Sequence, residues 1–421
     1  MKKGVCICLL FVLVAGFSVG VAAKETIIYY LWDDPTHQNI IDAFNNSQDE
    51  VFVDAKILSA KDYESKIMTL LAGGTEMDAY MNKRATDIFP MVDNGYAESL
   101  NDLIAANQFD MASLAGYKDA ITIDGQVYAL PFRGEAYFTY FNKKVFEQAG
   151  VPTPDTYVEK GEWTWAKFAE VAKQLASGDG KVYGAIMYIW GSSQVMPADQ
   201  RGLSYITADG EIDIDESLVY SFKLRKELEQ AKAVIPLAEL KATKTHYSKA
   251  FWDGNSGMLL IGAWFPGMML TAKNEGSLQG FTWDDWGLTH LPCDEPEYRT
   301  TGLPTSNILH ADSQKKDAAF KFLSWMSGPE GAKVVMQNGL MPAMFTPEVK
   351  EVAASTLPDE KSLHYYAEDT VHVTGWFNKY GSKVEAELVK VLEEYLMSDM
   401  TDEQLMDTIK AHFEEIINTT M

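Results

Sequence analysis

The stretch DGQVYALPFRGEAYFTYFNKKVFEQAGVPTP, residues 124–154, decides the fold. Asp124-Gly125 is a hairpin turn signal, and VYALPFRGEAYFTYF after it reads as an almost unbroken apolar and aromatic strand. Pro131, Arg133, Gly134 and Glu135 interrupt that strand at its centre. A strand built only for packing has no use for a proline, a cation, a glycine and an anion in its middle.

Upstream, strands and helices alternate. TIIYYLW reads as a buried strand. DDPTHQNIIDAFNN follows as a helix with Asp33 or Asp34 as its cap and Ile40, Ile41 and Phe44 on one face. VFVDAKIL is the second strand, DYESKIMTLLAGG a helix stopped by Gly73-Gly74, and MDAYM the third strand, with Thr86 placed to cap the next helix. Such alternation predicts an α/β domain with a parallel sheet and ligands beyond the carboxyl ends of its strands, which points to Trp32-Asp33 and to Asn82-Lys83-Arg84. Downstream come a short helix ended by Gly150, a helix starting at Thr164, a hairpin on Asp209-Gly210, a long helix from Glu216, and a Gly/Pro-bounded loop carrying Trp264. The last fifty residues read as a helix pair.

The bulk properties narrow the class. Lys2 and Lys3 precede an apolar run ending in Val21-Ala22-Ala23, a secretory leader over residues 1–23. Cys6 and Cys8 lie too early for a lipoprotein cleavage site. A formal charge of −24, two units more acidic without the leader lysines, excludes nucleic acid and anionic lipid as partners. Beyond the leader only Cys293 remains, so the fold rests on hydrophobic cores, for which this length supplies two domains. The seven histidines show no metal-ligand spacing, and no P-loop, GxGxxG after a strand or GxSxG occurs.

Six segments then carry a family resemblance: LLAGGTEMDAYM, DGQVYALPF with YFNKKVFEQAGVPTP and WTWAKFAEVAKQL, KVYGA, FWDGNSGMLLIGAW, WGLTHLPC, and AAFKFLSWMSGPEGAKVVMQNGLMPA. Together and in order they resemble the extracellular solute-binding proteins of the carbohydrate-uptake, maltose-binding type. The resemblance implies an α/β, two-lobed periplasmic-binding-protein fold with hinge strands and a ligand cleft between the lobes. Lobe I would take residues 24–133 and 303–350, and lobe II residues 134–302 and 351–421. It also implies a periplasmic monomer that captures a sugar or oligosaccharide for the permease subunits of an ABC importer, with no catalysis, metal or cofactor. The interrupted strand then crosses the cleft floor from one lobe to the other, and the return crossing lies near residues 301–304.

Sugars present apolar C–H faces and a ring of hydroxyls, so their sites combine flat aromatics with carboxylates, amides and guanidinium groups. Trp163, Trp165, Trp252, Trp283, Trp286 and Trp325 fall where packing is the simpler role. Trp32, Trp190, Trp264 and Trp376 sit where elements end and lobes should face each other, and are site candidates. Glu135, which aligns with a cleft carboxylate of the family, leads the polar candidates. Asp33, Asn82, Arg84, Arg133, Tyr137, Tyr188 and Gln194 complete the set. Two alternatives stay open: an anionic ligand such as a uronate or phosphorylated polyol, paired with Lys83, Arg84 and Arg133, and a secreted glycoside hydrolase using two carboxylates.

Overall fold

The computed structural model describes residues 23–302, 304–368, 371–372 and 375–420. Residues 1–22 of the expected leader and residue 303 of the return crossing lie outside them. Nine strands build two sheets: β1 (Glu25–Trp32), β2 (Val51–Leu58), β3 (Ala79–Asn82), β4 (Leu130–Arg133), β5 (Tyr137–Asn142), β6 (Tyr183–Met187), β7 (Ser256–Gly262), β8 (Trp286–Thr289) and β9 (Thr305–Leu309). Among the described residues no helix is long and apolar enough to cross a membrane.

The first sheet runs β2-β1-β3-β9-β4. Strands β1, β2 and β3 are parallel, as the alternation predicts. Strand β9 enters antiparallel to both β3 and β4, because it arrives from the other lobe and not through a helical crossover. Helix His37–Ser47 covers this sheet with Ile40, Ile41 and Phe44 buried, as its spacing requires. Asp34 makes the turn before it, accepting from the Thr36 amide and hydroxyl. Thr86 caps nothing. It lies inside a short 3-10 turn, Ala85–Asp87, and Asp87 precedes the helix Ile88–Asp93.

The opening stretch is cut where its sequence is interrupted. After a hairpin at Asp124-Gly125, both at positive φ, β4 belongs to the first sheet and β5 to the second, which runs β8-β5-β7-β6. All six residues of β5 are buried, since antiparallel neighbours flank it and its two faces enter two apolar clusters, Phe138 and Tyr140 in one and Tyr137 and Phe141 in the other; hence its lack of alternation. The chain returns between β8 and β9, and the two crossings clasp each other. The Tyr137 amide donates to the Thr301 carbonyl (3.1 Å) and to Thr300 Oγ1 (3.0 Å). Gly302 holds φ +120°, and a Cβ there would stand 2.8 Å from the Glu135 carbonyl oxygen.

A third passage lies against the first. The Gly134 amide donates to the Met341 carbonyl (3.0 Å), and a Cβ on Gly134 would meet the Pro342 oxygen at 3.0 Å. The boundary expected at residue 350 falls inside the helix Pro347–Thr356, whose Val349 and Ala353 pack in the second lobe's core. Leu340 and Ala343 pack in the first lobe's core and Met341 and Val349 in the second's, so we propose that the passage lies ahead of this helix, starting near Met341-Pro342. Lobe II closes with helices Gly381–Leu396 and Asp402–Thr420, which pack Val384, Leu388, Val391 and Leu405, Ile409, Phe413 into one apolar cluster.

Candidate ligand-binding site

A cavity of about 1080 Å³ opens between the lobes at the crossings, just above the range usual for small-molecule sites. Its floor is the interruption itself. Arg133 and Glu135 form a buried ion pair, with Arg133 Nη2 to Glu135 Oε1 at 2.7 Å and Nε to the same oxygen at 2.8 Å. Thr305, at the start of β9, accepts from Arg133 (3.1 Å) and donates to Glu135 Oε1 (3.2 Å), so both crossings are tied into one polar cluster. The guanidinium carbon stands 5.8 Å from the Trp32 ring and 5.9 Å from that of Trp264, between the aromatic walls of the two lobes.

On the lobe I side, Trp32 ends β1 and is wedged by the edges of His37 (4.8 Å) and Tyr63 (5.6 Å). Asp33 beside it is exposed and accepts from the Ala60 amide; neither it nor Asp34 caps the helix, whose N-cap position is Thr36 with no side-chain capping bond. Arg84 follows β3 and pairs with Asp87 at 3.0 Å. On the lobe II side, Trp264 begins the turn after β7, and its indole N–H donates to Tyr247 (2.9 Å). Tyr137 and Trp190 each meet the Trp264 ring edge-on at 5.7 Å. Trp376 leans on Tyr205 at 5.2 Å.

Nine of the twelve expected residues thus line one cavity: Trp32, Asp33, Arg84, Arg133, Glu135, Tyr137, Trp190, Trp264 and Trp376. Asn82, Tyr188 and Gln194 do not. Asn82 is buried and turns inward to the Ala85 carbonyl (3.3 Å). Tyr188 props the wall from behind, packing on Trp190 (4.9 Å) and Tyr247 (4.8 Å). Gln194 is fully buried; its amide N–H groups donate to the Tyr188 and Trp190 carbonyls, and its oxygen accepts from the buried Arg225 (2.9 Å).

Of the six tryptophans expected to pack, Trp163, Trp165 and Trp286 are buried, and Trp283 and Trp325 are half-buried against neighbours. Trp252 packs against the second lobe's core as expected and also lines the cavity. Tyr247, Asp199, Glu385 and Thr305 also line it and carry no sequence signal that marks them. Glu385 sits one position after Val384 on an amphipathic helix, where a carboxylate ordinarily faces water. Burial pushes the carboxyls of Glu135, Asp199 and Glu385 above the usual range. Arg133 opposes this at Glu135, Tyr205 at Asp199, and Arg84 at Glu385.

Residues 39–359 match the family of bacterial extracellular solute-binding proteins. The chain is 28% identical over 275 residues to a lactose-binding protein of Rhizobium radiobacter, covering 62% of this chain and 60% of that one. It is 34% identical over 251 residues to a mannitol-binding protein of Pseudomonas aeruginosa, covering 57% and 54%. The matched stretches thus span less than two thirds of these relatives' own length. Along 94% of the chain the fold follows an ABC substrate-binding protein of Listeria monocytogenes in complex with cycloalternan, with a TM-score of 0.74, 26% identity and 99% of that chain covered.

Proposed function

The chain belongs to the bacterial extracellular solute-binding proteins, and from that premise we propose that it captures a sugar or oligosaccharide in the cleft and hands it, chemically unchanged, to the permease subunits of an ABC importer. One observation carries the reading. Aromatic faces from both lobes, Trp32 on one side and Trp190 and Trp264 on the other, flank a polar floor of Arg133, Glu135 and Thr305. Aromatic faces cover the C–H faces of a pyranose, and paired charged groups meet its hydroxyls. The relatives named for lactose and mannitol support the ligand class. The family supports a periplasmic location, and the leader expected over residues 1–23 agrees with it.

The test is a thermal-shift screen over neutral sugars, polyols, amino acids and polyamines. A ligand at about 100 times its dissociation constant stabilises the native state by about 2.7 kcal/mol, and sugars or polyols alone should produce such a shift. A shift with amino acids and none with any carbohydrate would refute the reading. Chromogenic glycosides should release no product.

A further inference from the structure

Every cation lining the cavity already holds a carboxylate. Arg133 pairs with Glu135, Arg84 with Asp87, Lys83 with Glu64 at 3.3 Å, and Lys241 with Glu393. An anionic sugar would meet cations whose charge is already balanced and would compete with a carboxylate at each of them. Carboxylates are also in excess: among the described residues seven Asp and Glu side chains line the cavity, against four Lys and Arg.

Glu135 adds an independent observation. It is 5% exposed, and while Oε1 accepts from Arg133 and Thr305, its Oε2 is buried without any donor although the residue lines the cavity. A buried carboxylate oxygen of this kind calls for a donor from the ligand. Trp32, Trp190 and Trp264 surround the floor with aromatic faces, which attract cations and are indifferent to anions.

Resting on the carbohydrate reading above, we infer that the site selects its sugar by charge: it prefers a sugar carrying a protonated amine, whose ammonium meets Glu135 Oε2, over the neutral parent, and it excludes uronates and sugar phosphates. On this inference an anionic ligand paired with Lys83, Arg84 and Arg133 is disfavoured, because each of the three already faces a carboxylate.

Calorimetric titration of the full chain with matched sets tests this. The sets are glucose, glucosamine and glucuronate; galactose, galactosamine and galacturonate; and the β-1,4 disaccharides of glucose and glucosamine. In whichever set binds, the amine should bind about tenfold more tightly than its neutral parent, with an advantage that shrinks as salt is added, and the acid should give no heat. Glu135→Gln should equalise amine and neutral sugar. Because that change leaves Arg133 without its partner, the wild-type comparison decides if the variant does not fold. A neutral sugar that binds as well as its amine, or a uronate that binds at all, overturns the inference while leaving the carbohydrate reading intact. Failure of every sugar, with another solute class binding in the screen, overturns both.

Discussion

Asp199 is 1% exposed, takes the Tyr205 hydroxyl on Oδ1, and has its carboxyl held well above the usual range, mainly by burial. The native state therefore binds this proton more strongly than the unfolded chain. Its contribution to stability is complete below the unfolded pKa of about 3.9 and is lost as pH rises toward the folded value, at about 1.4 kcal/mol per pH unit. Asp199→Asn keeps an acceptor for Tyr205 and removes the titration, so the variant's melting temperature relative to wild type should climb between pH 4 and 7. A difference independent of pH would show that Asp199 is not the buried acid described. Trp264→Ala should weaken the best ligand by about 1.5–3 kcal/mol, the burial value of one large side chain. The same change should lower unliganded stability, because the ring packs against three apolar clusters and bonds Tyr247. Trp165→Ala, fully buried and absent from the cavity, should lose about 3–5 kcal/mol of stability and leave affinity unchanged. Equal affinities for wild type and Trp264→Ala would remove that ring from the site. Trp190 and Trp264 could be read in the sequence because each follows a strand, and Glu135 because it interrupts one and aligns with a cleft carboxylate of the family. Gln194 and Asn82 occupy equally suggestive positions, but their side chains are committed to Arg225 and to the Ala85 carbonyl, partners that only the folded chain supplies.

The elements were legible to the extent that local pattern sets them. The interrupted strand is two strands of two sheets, and its proline, cation, glycine and anion fall at the seam. The antiparallel entry of β9 and the third passage at Met341-Pro342 were not legible, since both depend on how separate stretches meet and not on any period within them. Gly302 concentrates this dependence. Its φ of +120° and its approach to the Glu135 carbonyl leave no room for a side chain, so Gly302→Ala should cost about 1–3 kcal/mol of stability and loosen the clasp between Tyr137 and Thr301. Hydrogen exchange at the Tyr137 amide, compared between the two proteins, checks it. Unchanged protection there, alongside an unchanged melting temperature, would mean that the crossings are not coupled through this contact.

At the scale of the whole molecule, two lobes joined by three short passages can move as rigid bodies only if the ligand distinguishes open from closed. The aromatic wall of Tyr137, Trp190, Tyr247 and Trp264 belongs to one lobe, and Trp32, Lys83 and Arg84 to the other. On the proposed reading, a ligand seated first on the larger wall would gain the contacts of Trp32 only on closure, and these contacts would supply the differential affinity. Shifting an equilibrium from 1:99 to 99:1 requires about 5.5 kcal/mol of such preference, more than one ring provides. Loss of one ring should therefore weaken closure without abolishing it. In solution scattering, saturating ligand should compact the wild-type protein, and Trp32→Ala should compact less at equal saturation. Because Trp32 acts after encounter, its loss should appear as faster dissociation with association nearly unchanged. A Trp32→Ala protein that binds slowly yet releases at the wild-type rate would place that ring in the first encounter and reverse the order of the two walls.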